Sequence, residues 1–152
     1  MTEIPVSTGP HNFSMPEWIS CAPFERLLNM EIREAAEGRA VLSMPFLMQY
    51  AQGAGLMHGG ALVSLADTAV VMAIKSLIPP ETHFATISLE TRFLRPVKHG
   101  IITAHASVEL LDGRRLRGRA TLFDDRERQV IEFSSTFKIA RNAQIKGVTF
   151  GS

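Results

Sequence analysis

Residues 56–78 read LMHGGALVSLADTAVVMAIKSLI, and how this run is housed decides the fold. It is apolar or small almost throughout, with His58, Asp67 and Lys75 as its titratable interruptions. Pro79-Pro80 closes it, because a proline also disfavours helix in the residue before it. At 23 residues the run is long enough to span a bilayer. Asp67 lies near its middle, however, and Gly59-Gly60 near its start, and a carboxylate is costly at a bilayer centre. The run is therefore predicted to be a helix buried in a protein core.

Strand signals stand on both sides of it. Before the helix, a hairpin is expected from Met30–Ala36 and Arg39–Phe46, turning at Gly38. After it, Ile87, Leu89 and Phe93 alternate with Ser88, Glu90 and Arg92 within Phe84–Arg95. Ile102, Ala104, Ala106, Val108 and Leu110 share one face of Ile101–Leu111, and Asp112-Gly113 signals a hairpin turn. Leu116, Ala120 and Leu122 then oppose Arg115, Arg117 and Arg119, and Ile131, Phe133, Phe137 and Ile139 repeat with period two. Strands with one apolar face need a cover, and the helix is apolar almost all round. A curved antiparallel sheet wrapped around the helix, an α+β architecture, satisfies both.

Towards the N-terminus, Pro16–Leu28 allows a short helix anchored by Trp18, Ile19, Phe24 and Leu27. The expected organisation is a loose segment over 1–15, one domain over 16–141 and a tail over 142–152. The chain has 152 residues, 45% hydrophobic and 20% charged, which suits one domain with a core and excludes global disorder. Sixteen basic residues nearly cancel 15 acidic ones, so no net field favours nucleic acid or an anionic membrane as partner. Cys21 is the one cysteine, which rules out an intrachain disulfide and four-thiolate zinc sites. The first residues lack the basic and apolar regions of a secretory signal, and a cytoplasmic location is expected.

Chemistry centres on Asp67. A carboxylate flanked by Leu65, Ala66, Ala69 and Val70 needs a partner or a task, a backbone cap or an arginine pair being the plainer alternative. Gly59-Gly60 at the helix start can be a tight turn, or can let a ligand approach the free N–H groups of the first turn.

These residues resemble the hotdog-fold acyl-CoA thioesterases, in particular the PaaI-like, phenylacetate-degradation branch. The likeness lies in HGG at 58–60 with an acidic residue seven positions after Gly60, followed by ATISLETRFLRPV, GRR and EFSSTFK in that order. It runs from about Ala22 to Ala140. The resemblance implies a thioester hydrolase without metal or organic cofactor, acting on an acyl-CoA. In it Asp67 would be the catalytic carboxylate, as general base or nucleophile, and the Gly59 N–H would polarise the thioester oxygen. His58 would shape that turn, Gln52 orient water or thioester, and Thr86 help hold the water. Gly60 and Thr68 would line the substrate. Arg117 with Arg115 and Arg119 would share one strand face and could meet the coenzyme A phosphates, a solvated outer sheet face being the plainer account, and Arg95 with Lys98 and His99 form a second such patch that is no better supported.

From Gly59 to Asp67 the helix rises eight residues, roughly 12 Å. A base and an oxyanion donor acting on one carbonyl each lie about 3 Å from it. The expectation is that Gly59 of one subunit faces Asp67 of another in a homodimer, or in a tetramer built from such dimers. Two rival functions differ in class. A hydratase or dehydratase on this fold would pair a catalytic His with Asp or Glu, but Met72 stands five residues after Asp67. A non-catalytic acyl-CoA sensor would not need Asp67. His83 and His105 lack metal-ligand spacing, and Met48 and Met57 flank the expected acyl entrance.

Overall fold

The computed structural model describes residues 8–140. The expected tail over 142–152 and the first seven residues of the expected loose segment lie outside them. The elements are α1 (Pro23–Leu27), β1 (Glu31–Ala36), β2 (Arg39–Pro45), α2 (Gly59–Lys75), β3 (Phe84–Phe93), β4 (Ile101–Asp112), β5 (Arg115–Phe123) and β6 (Gln129–Ile139). All strand pairs are antiparallel, in the order β1-β2-β4-β5-β6-β3. α2 carries the chain from β2 across the concave face to β3 at the far edge. This is the hotdog fold.

The turn between β1 and β2 has two residues, and both Glu37 and Gly38 have positive φ (52° and 77°), the mirror-image turn that suits hairpin twist. On β5, Leu116, Gly118, Ala120 and Leu122 are buried while Arg115 and Arg119 stay exposed. Gly118 sets how near the helix comes: a Cβ there would lie 2.2 Å from Val70 Cγ1. Leu65, Val70, Met72 and Ile74 of α2 are fully buried against Leu42, Met44, Ile102, Leu122, Ile131 and Phe137 of the sheet.

Three expectations need correction. α2 is shorter than the apolar run by three residues at each end. Ala51 bridges Met57 before it, and at its end the Ser76 hydroxyl bonds Ala73 O while accepting the Gly38 N–H, so both flanks are held by other partners. The helix over Pro16–Leu28 begins only at Pro23, and Phe24 and Leu27 are exposed (54% and 69%) rather than anchoring. Pro23 has no N–H for the Ile19 carbonyl, and Lys75 Nζ donates to Trp18 O (3.0 Å) while Trp18 Nε1 donates to Lys75 O (3.0 Å).

The third correction concerns β3. A bulge between Thr86 and Ser88 interrupts the alternation. Thr86 pairs with Phe137, then Leu89 with Ser135, Thr91 with Phe133 and Phe93 with Ile131, so residues on both sides of the bulge face α2. α2 reaches this edge only at Thr86 and Phe93, and Ile87, Leu89 and Phe93 stay exposed (54%, 47% and 57%) instead of forming a covered apolar face. No helix among the described residues is long and apolar enough to cross a membrane.

Candidate active site

The start of α2 is built by its preceding loop. Tyr50 O accepts the His58 N–H at 2.7 Å, and Val97 O accepts the Met57 N–H at 2.9 Å. The Tyr50 hydroxyl donates to Leu27 O (2.9 Å) and accepts from Asn29 Nδ2 (2.7 Å), pegging the loop to the turn after α1. His58 is the N-cap: its Nδ1 accepts the Gly60 N–H at 2.8 Å, and its carbonyl takes Ala61 N–H and Leu62 N–H. Nδ1 therefore carries no proton, and the proton of the neutral ring sits on Nε2.

That cap separates the two glycines. The Gly60 N–H is occupied, whereas the Gly59 N–H makes no hydrogen bond among the described residues. It is a donor at the positive end of a 17-residue helix. A Cβ on Gly60 would press on His58 Nδ1 at 2.9 Å, and one on Gly59 would meet Phe93 Cε1 at 3.1 Å. Phe93 thus walls the helix start from the sheet edge. Its place there was not legible in the sequence, because it depends on a contact between the end of β3 and the start of α2, which lie far apart in the chain.

Eight residues on, Asp67 is half-buried in a stripe of α2 with Gly60, Val63, Ser64 and Val71 that the sheet leaves partly open. Thr86 Oγ1 donates to Asp67 Oδ1 at 3.1 Å. Burial raises the Asp67 pKa above its ordinary 3.8, and the Thr86 hydrogen bond draws it back in part. The carboxylate is thus held by a neutral donor, with no salt bridge among the described residues.

The structure brings Asp67 and Thr86 together, and His58, Gly59 and Gly60 together at the helix start. Gln52 closes its own turn, its Oε1 accepting the Ala54 N–H. Thr68 is buried against the core, off the open stripe. Arg95 is exposed and follows β3 at the helix-start end, two residues before Val97. Arg117 neighbours Gly118, whose missing Cβ faces Val70, so Arg117 lies on the opposite, outer side of the sheet from Asp67. His105 stacks edge-on against Phe123 (5.4 Å), and no metal-holding group of three His, Cys, Asp or Glu occurs among the described residues.

Residues 54–131 match the family model of the thioesterase superfamily. The protein ComA2 of Bacillus subtilis, named as an esterase, is 32% identical over 105 residues, covering 68% of this chain and 82% of its own. The chain belongs to the thioesterase superfamily. A Halobacterium salinarum protein, also named as an esterase, is 35% identical over 86 residues, covering 53% of this chain but only 56% of its own length. Among solved structures, Escherichia coli PaaI, from the phenylacetic acid degradation operon, superposes with a TM-score of 0.73 at 25% identity, over 80% of this chain and 86% of that one. A Streptococcus pneumoniae protein described as a hypothetical thioesterase, solved with coenzyme A, gives 0.68 at 18% identity, over 74% of this chain and 86% of its own. The superfamily match contains Gly59, Asp67, Thr86, Arg95 and Arg117, while Gln52 falls just before it.

Proposed function

We propose that this superfamily member hydrolyses the thioester of an acyl-CoA, aliphatic or aromatic, to a free acid and coenzyme A. The observation that carries this reading is the pair of poised groups on one helix: an unoccupied N–H at Gly59 and a half-buried carboxylate at Asp67 held by Thr86. In the reaction, Asp67 takes a proton from water as the water oxygen adds to the thioester carbonyl. Charge gathers on the carbonyl oxygen, where the Gly59 N–H receives it. The intermediate collapses by breaking the carbon–sulfur bond, and the leaving thiolate recovers the proton. A raised pKa suits a general base, because it brings Asp67 nearer the working pH.

The two groups lie roughly 12 Å apart along the helix, too far to serve one carbonyl. The open edge of β3, with Leu89 and Phe93 exposed beside the Asp67 stripe, supports a homodimer in which each site takes Gly59 from one subunit and Asp67 from the other. The test is thiol release from a panel of acyl-CoAs by wild type, Asp67→Asn and Asp67→Ala. Wild type is expected to release thiol and both variants to lose it by about 10²–10⁴-fold. A wild type inert towards every substrate, but binding them, would instead mark an acyl-CoA sensor. Single-turnover hydrolysis in oxygen-18 water should place the label in the acid; label in Asp67 would make it the nucleophile.

A further inference from the structure

Gly59 is a glycine for a reason its own backbone does not supply. It opens α2 without a positive φ, so the helical geometry there would accept most side chains. Phe93 is what excludes them: a Cβ on Gly59 would lie 3.1 Å from Cε1 and 3.3 Å from Cζ of its ring. The edge of the phenyl ring therefore rests on the bare Gly59 Cα. The main chain that carries the ring is held by β6, where Phe93 pairs with Ile131 and the Leu94 N–H donates to Val130 O at 2.9 Å. The remainder of the ring is open apolar surface, Phe93 being 57% exposed.

That surface stands beside the free donor. In a helix the Cα–Cβ direction tilts towards the N-terminus, and the first-turn N–H groups point the same way. A ring edge in contact with the Cβ position of Gly59 thus lies within about 6 Å of its nitrogen. An oxygen that accepts the Gly59 N–H sits about 3 Å from that nitrogen. In an acyl group the carbon next to the carbonyl follows at roughly 4–5 Å. A carbonyl drawn to Gly59 therefore brings its neighbouring carbon alongside the Phe93 ring, and a branch on that carbon competes with the ring for space.

We propose that Phe93 is a specificity-determining residue that limits branching at the carbon next to the thioester carbonyl, so that acyl groups with a CH2 there are taken and branched ones are refused. The proposal rests on the reading of Gly59 given above. Butanoyl-CoA and 2-methylpropanoyl-CoA test it, because they are isomers that differ only in this branch. Wild type should favour butanoyl-CoA in kcat/KM by about tenfold or more. Phe93→Ala should cut that preference by about tenfold, with Phe93→Leu in between. A purely structural role would slow both substrates together and leave the ratio unmoved. A wild type without the preference, or a Phe93→Ala ratio within about twofold of wild type, overturns the proposal and leaves the thioesterase reading standing. The same pair can be bound without turnover, by calorimetry on Asp67→Asn and on Asp67→Asn/Phe93→Ala. The preference for butanoyl-CoA should again shrink in the double variant, and an unchanged preference overturns the proposal. A wild type that releases no thiol from either substrate, combined with a binding preference that depends on Phe93, would refute the thioesterase reading and keep the role of Phe93.

Discussion

Asp67 shows how one residue ties stability to activity. Its pKa is raised in the folded protein, chiefly by burial. The sign follows from linkage: the contribution is present below the unfolded value of 3.8 and is lost as pH rises through the folded value. At neutral pH the ionised group therefore weakens the fold. Asp67→Asn should raise Tm near neutrality, and this gain should vanish below the ordinary carboxylate range, as thermal melts across pH will read. Activity should move the other way, rising with pH as Asp67 ionises. Thr86→Val removes the hydroxyl 3.1 Å from Oδ1 and should displace the acid limb of the pH–rate profile to higher pH. An unmoved limb would mean that Asp67 is not the titrating group.

At the scale of elements, the position of α2 depends on two contacts that its own sequence does not contain. Gly118 lets the helix down onto β5. Gly118→Ala puts a methyl 2.2 Å from Val70 Cγ1 and 2.9 Å from Ser135 Oγ, neither of which can swing far, and should cost about 1–3 kcal/mol in denaturant unfolding. Adding Val70→Ala should recover part of that loss, so the pair should be non-additive. At the other contact, Tyr50 pegs the loop that delivers His58 and Gly59. Tyr50→Phe leaves Asn29 Nδ2 and Leu27 O without their partner and should cost about 1–3 kcal/mol. If Tyr50 orients the Gly59 N–H, kcat should fall with KM unchanged at temperatures where the variant stays folded.

For the whole molecule, the decisive property is that its helix holds Gly59 and Asp67 eight residues apart and its sheet ends in an open apolar edge. Leu89→Lys should yield a folded monomer, by circular dichroism and sedimentation, that releases no thiol. Complementation is a sharper test. Gly59→Pro deletes the donor while placing a helix-compatible residue at the first helical position. Equimolar mixing of inactive Gly59→Pro and inactive Asp67→Asn subunits should restore about a quarter of wild-type activity, since half the dimers are mixed and each mixed dimer holds one intact site of two. Sites contained within one subunit would give no recovery.

Much of this was readable before any coordinates. Periodicity yielded the helix and the inward faces of β4, β5 and β6, apart from Leu110, which is 48% exposed at the end of β4, and the glycine at 38 marked the hairpin turn, because those signals are local. Asp67 and Gly59 stood out because a carboxylate in an apolar run and paired glycines at a helix start are anomalies of composition. That β3 ends the sheet at an edge the helix leaves largely uncovered, by contrast, has no residue signature, so Leu89 and Phe93 keep the shared face their spacing predicts and yet stand in the open. Alternation with Leu116, Ala120 and Leu122 already put Arg117 on the face away from the helix, and the packing of Gly118 on Val70 agrees. The sequence determined which groups this protein possesses, since side-chain chemistry and periodicity are written residue by residue. The tertiary structure decided which of them meet, because bulges, strand order and the approach of a helix to a sheet depend on contacts between residues far apart in the chain.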